Sequence, residues 1–147
     1  MKGFTLTETL VIIGIIGIVI GIGLLTLKAL QPDIQLSGAV RELVSDLRLA
    51  GQLSVTEQVN HGIIFYSDSL GDRYQMVKYG ENDQVLELLK TKELPEEVNF
   101  TEINFTNSRV IFNPYGAVKE SGSVVLINSR GATTTCEVRP SGLVKIK

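Results

Sequence analysis

Cysteine and histidine occur once each, as Cys136 and His61. A lone cysteine excludes an internal disulfide and reads most simply as a small buried apolar residue. A lone histidine excludes a multi-histidine metal site. No G-x-S-x-G elbow, no phosphate-binding loop with its lysine and no compact D-x-D-x-D calcium loop can be found. A Ser-His-Asp arrangement would have to use His61, which the sequence places at a helix stop after Asn60 and before Gly62. Repeats, low-complexity tracts and long linkers are also missing. The expectation is therefore no enzyme, no cofactor and no metal. Positive charge is not in excess either: from Ala29 onward 12 Lys or Arg face 15 Asp or Glu, which argues against a generally nucleic-acid-binding surface. The acids Glu81, Asp83, Glu87, Glu93, Glu96, Glu97 and Glu102 cluster with only Lys90 and Lys92 between them. That run reads as a solvated face or as a contact for a basic partner subunit.

What the chain does have is a long apolar run near its start. From Thr9 to Leu27 no side chain is charged, and only the two threonines near its ends are polar. As a helix, that is long enough to cross a bilayer core, which takes about 20 apolar residues. Glu8 sits at the margin of the run, where a carboxylate is costly unless it is paired or reaches the interface. Gly14, Gly17 and Gly21 recur at spacings of three and four, so they share one helix face; Gly17 and Gly21 form a GxxxG, which lets a second helix approach closely. An ordinary secretory signal would need small residues before its cut, and the candidate near Ala29 has Leu27 two residues earlier. A plain anchor explains the apolar run but neither Gly3-Phe4 nor Glu8.

Gly3-Phe4-Thr5-Leu6-Thr7-Glu8 followed by an apolar helix resembles the N-terminal signal of type IV pilins and type II secretion pseudopilins. The resemblance implies that a prepilin peptidase cuts between Gly3 and Phe4 and methylates the new amine of Phe4. It also implies that Glu8, fifth in the mature chain, pairs with an N-terminal amine during assembly. Lys2 supplies the positive charge expected on the cytoplasmic side. Thr7 and Thr9 stand where aliphatic residues are commoner in that family.

Beyond the run, Leu36, Val40, Leu43, Leu47 and Ala50, with Ala39, Val44 and Leu53 alongside, step by three and four, the pattern of an amphipathic helix from Asp33 to about Val59. Arg41, Glu42, Asp46 and Arg48 fill its other face, and Pro32 is expected to bend the helix. After Gly62 the pattern changes to short strands and turns: 62–66, 73–79, 84–92, 98–105, 109–112, 123–127, 132–138 and 143–146. A long helix followed only by strands predicts an α+β fold in which the helix lies across an antiparallel sheet. The expected organisation is a leader at 1–3, a transmembrane and assembly half of a spine helix at 4–28, an amphipathic half at 29–61 and a β-rich head at 62–147.

Val110-Ile111-Phe112-Asn113-Pro114-Tyr115-Gly116, Val124 to Ile127, Gly131 and Pro140 to Lys145 are similar to the GspH/FimT branch, the minor pseudopilins and minor pilins. The implied function is a structural subunit of a type II secretion pseudopilus or a type IV pilus. Its implied partners are other pilins, the prepilin peptidase, the inner-membrane assembly platform and membrane lipid. The implied location is the cytoplasmic (inner) membrane as a single-pass protein with an extracytoplasmic head, then a filament. An alternative follows from the same branch, a DNA-binding minor pilin for DNA uptake. Its candidate contacts are Arg130, Arg139, Lys145 and Lys147, although the family's Gly-Arg-x-Arg positions here read Gly142-Leu143-Val144-Lys145.

Overall fold

The structure, a computed structural model, describes residues 3–80 and 82–147, with backbone alone at 22–27 and 29. The leader residues Met1 and Lys2, and Glu81 of the acidic run, therefore lie outside the described residues. Two compact units divide between Gln31 and Pro32. One helix, α1 (Leu6–Glu57), has Pro32 inside it without ending there.

Among the described residues eight strands follow: β1 (His61–Asp68), β2 (Gly71–Tyr79), β3 (Val85–Glu93), β4 (Val98–Asn104), β5 (Arg109–Phe112), β6 (Gly122–Asn128), β7 (Thr133–Val138) and β8 (Val144–Ile146). They form two four-stranded sheets, ordered β3-β2-β1-β5 and β4-β6-β7-β8, every pairing antiparallel. A single sheet was the expectation. The break falls at Leu94-Pro95, where the chain leaves β3 and β4 turns to pair with β6 instead. The first and second sheets are tied by Asp72, whose carboxylate accepts the Phe100 N–H and whose carbonyl accepts the Leu94 N–H. Phe65 adds an apolar joint, edge-on to Phe100 at 5.6 Å and stacked on Phe105 at 5.5 Å.

The amphipathic stripe packs as its spacing requires. Leu36, Ala39, Val40, Leu43, Val44, Leu47 and Ala50 are buried and share one core with the inner faces of both sheets, and Leu53 packs at its edge. Leu43 and Leu47 are completely inaccessible, and burial of each contributes about 1.5–3 kcal/mol. Gly51 lets α1 approach β5, since a Cβ there would already stand 3.3 Å from the Phe112 ring. Asp46, assigned by sequence to the polar face, is buried, because partners on β2 and β3 reach it.

The helix ends earlier than Val59, and the spine segment 29–61 is shorter by four residues than expected. Gln58 takes a left-handed backbone conformation (φ 56°), the geometry that closes many helices, and His61 already belongs to β1. Gly62 is thus no helix stop. It lies inside β1, where a Cβ would meet the Val110 carbonyl oxygen at 2.1 Å, so it permits the close approach of β1 and β5.

Candidate functional site

Gly3 and Phe4 precede α1 and are exposed. Thr5, just before the first helical residue, and Glu8 close the helix end reciprocally. The Thr5 N–H and hydroxyl both donate to Glu8 Oε2 at 3.1 Å, and the Glu8 N–H donates back to the Thr5 hydroxyl oxygen at 3.3 Å. This is a capping box, which satisfies amides that the first turn leaves without partners. The T-x-x-E spacing carries that signal in the sequence, beside the electrostatic role that the same glutamate suggests. Glu8 Oε1 makes no hydrogen bond among the described residues. Gly14, Gly17 and Gly21 lie on α1 with open space where a Cβ would project. Among the described residues no helix is long and apolar enough to cross a membrane; residues 22–27 of the expected span fall outside that description.

In the head, the one histidine and the one cysteine are both buried. His61 is buried, with Nδ1 3.0 Å from the Val59 carbonyl and Nε2 3.5 Å from a Glu57 oxygen. Cys136 lies in β7 on the core face, where burial pushes its thiol up to about 11. No group of three or more His, Cys, Asp or Glu side chains among the described residues is placed to hold a metal.

The acidic run is not interleaved by its two lysines in space. Lys90 donates to both Asp46 oxygens at 2.9 and 2.7 Å, and Lys92 pairs with Glu42 at 2.9 Å. Both turn inward to α1, leaving Glu87 and Glu93 on β3. The Tyr74 hydroxyl also donates to Asp46, at 2.7 Å, and burial together with that carboxylate pushes the phenol well above its ordinary value.

A second joint rests on Ser54. Its hydroxyl lies 2.9 Å from the Ala50 carbonyl and 3.1 Å from the Phe112 carbonyl, while its oxygen accepts the His61 N–H at 3.0 Å. One buried hydroxyl thereby joins α1, β1 and β5. Serine on a helix gives no sequence signal for such a role, since it reads equally as a solvent-facing residue.

The four basic candidates separate. Arg130, in the β6–β7 turn, pairs with Asp33 at 2.9 Å, beside Asn128, whose amide donates to the same carboxylate at 2.7 Å. Arg139, Lys145 and Lys147 instead surround Glu137. Lys147 contacts it at 2.6 Å, and that lysine, followed by the charges of Arg139 and Lys145, holds the carboxyl below its usual range.

The arrangement of one helix on two antiparallel sheets matches solved structures. The type IV minor pilin FimU of Pseudomonas aeruginosa superposes with a TM-score of 0.63 over 78% of this chain and 90% of its own, at 12% identity. The minor pseudopilin EpsH from the type 2 secretion system of Vibrio cholerae gives 0.60 over 77% and 96%, at 11% identity. The chain has the pilin-type fold. No family model matches it, and no curated sequence does. At such low identity the likeness establishes this pilin-type architecture alone, with its helix and its two sheets.

Proposed function

We propose that the chain is a minor pilin or pseudopilin, a structural subunit assembled through its N-terminal helix, and not an enzyme. The observation that carries the proposal is the joint presence of a pilin-type head and Gly3-Phe4 with Glu8 ahead of an uncharged apolar run. A peptidase cuts between Gly3 and Phe4, and Phe4 is methylated. The helix from Phe4 to Lys28 waits in the cytoplasmic membrane with the head outside, and an assembly platform passes it into a filament of related subunits. The capping geometry supports a division of labour at Glu8: Oε2 holds the Thr5 amide, and Oε1 remains for an N-terminal amine. Apolar burial between helices drives the assembly, with Gly14, Gly17 and Gly21 forming the close-approach face.

Intact mass and N-terminal sequence of the protein from its native membrane test this. A chain beginning at methylated Phe4 is the expected result. A chain beginning at Met1, or cut near Ala29, would leave a plain anchor or a secreted domain.

DNA binding is the competing reading. Phosphate recognition needs several cations on one face; Arg139, Lys145 and Lys147 supply three around a carboxylate, and Arg130 is engaged with Asp33. A salt-dependent shift of duplex DNA by the protein would favour that reading, and its absence at low salt would remove it.

A further inference from the structure

β3 is an edge strand with an unusual surface. Val85, Leu86, Leu88 and Leu89 are large apolar residues within five consecutive positions, and Leu86 and Leu88 are 57% and 52% exposed. Natural sheets blunt such edges or cover them. The lysines of β3 are drawn to Glu42 and Asp46 on its inner side; Glu87 and Glu93 stand across the ladder from Lys78 and Arg73, whose closest contacts are to Glu57 and Asp68 instead. The open edge is therefore apolar and acidic.

β8, at an edge of the other sheet, has the opposite character. Among the described residues it pairs with β7 alone. Lys147 exchanges both backbone hydrogen bonds with Thr135, and the Leu143 carbonyl accepts from Arg139. The alternation of an antiparallel ladder then leaves the N–H and C=O groups of Val144 and Ile146 facing away from β7. Beside this edge runs a groove of about 480 Å³ between β8 and α1, lined by Arg41, Arg48, Leu49 and Ile146 among others. Among the described residues Arg41 and Arg48 form no ion pair, and Lys145 lies across the ladder from Glu137, whose carboxyl its charge helps to lower.

We propose that the β3 edge of one copy of this chain adds as a strand to the β8 edge of a second copy, in the groove between β8 and α1. Strand addition uses the unpaired backbone groups for affinity and alternate side chains for specificity. Leu86 and Leu88 cover Ile146 and Leu49 on the α1 side, and Glu87, on the opposite face of the added strand, meets Lys145. The contact is head-to-tail, with different surfaces on the two copies, so each dimer retains one open β3 and one open β8. It depends on neither the processing nor the membrane reading above.

The test uses the full chain in mild detergent, with Cys136→Ala removing the native thiol. One preparation carries Leu88→Cys and the other Ile146→Cys, both at exposed positions. Under mild oxidation the mixture is expected to give a disulfide dimer in clear excess over either preparation alone. Adding Glu87→Lys to the Leu88→Cys chain is expected to lower the yield by about tenfold, as like charges meet across the contact. Adding Lys145→Glu to the other chain restores it. Equal yields with and without mixing, or no rescue by the charge swap, overturns the proposal. So does a wild-type chain that shows no concentration-dependent, salt-sensitive self-association by sedimentation.

Discussion

Replacing Asp46 with alanine strands two donors at once, the buried Tyr74 hydroxyl and the Lys90 amine. Because Lys90 can turn to water, the tyrosine dominates, and the expected cost is about 1–3 kcal/mol, read from the urea midpoint of the full chain. Asp46→Asn keeps an acceptor and is expected to cost less. Ser54→Ala leaves the His61 N–H and the Phe112 carbonyl without their bridge inside the core; a similar loss of about 1–3 kcal/mol is expected, with faster hydrogen exchange at the His61 amide. At Glu8 the two roles separate by substitution. Glu8→Ala removes both charge and cap, and is expected to be cleaved and methylated yet to assemble poorly. Glu8→Gln keeps a capping acceptor without the charge. If assembly needs the charge, both variants fail alike in pull-down of filament neighbours; recovery by glutamine would assign the defect to the cap.

At the scale of elements, much of the head is legible in the sequence. The apolar spacing from Leu36 to Ala50 identifies the buried side of α1, and β5 falls at 109–112 as the Asn113-Pro114-Tyr115-Gly116 turn indicates. Strand partners are less legible, because alternation marks a strand's faces but not its neighbours. Two sheets arise where one was expected, since Pro95 redirects the chain and Asp72 anchors β4 beside β2. The stop of α1 is not legible in the sequence, because Gly62 looks like a cap whereas Gln58 takes the left-handed position. Asp46 looks solvent-facing because its partners, Tyr74 and Lys90, are 28 and 44 residues away. On α1, Gly17→Leu with Gly21→Leu tests the close-approach face: filament incorporation is expected to fall, and unchanged incorporation would show that the face is not used.

For the whole molecule, pH acts from two sides. Lys78 beside Glu57, Arg73 beside Asp68 and Lys147 beside Glu137 hold those carboxyls below their ordinary values. Their contribution is present above the unfolded values of 4.5 for Glu and 3.8 for Asp and is lost as pH falls through the lowered ones. The melting temperature is expected to drop below about pH 4, and less so in high salt, because the pairs are exposed. Burial raises Cys136 from 9.0 to about 11 and Tyr79 from 10.0 to about 12. Both stay neutral in the folded chain where the unfolded chain would ionise. That support is complete below about pH 9 and is lost as pH rises through the raised values. Melts by circular dichroism from pH 3 to 12 check both limbs, and Cys136→Ala is expected to soften the onset of the alkaline one.

The two sheets are interleaved along the chain. β4 belongs to the second sheet yet precedes β5, the last strand of the first. During synthesis, then, the first sheet waits for a strand made after the second has begun, and the second waits for β8. No truncation between Asn104 and Ile146 leaves both sheets whole. The head is consequently completed only once β8 has been made, and a nascent chain with its apolar helix already delivered would carry an unfinished partner for that helix's buried side until that strand arrives.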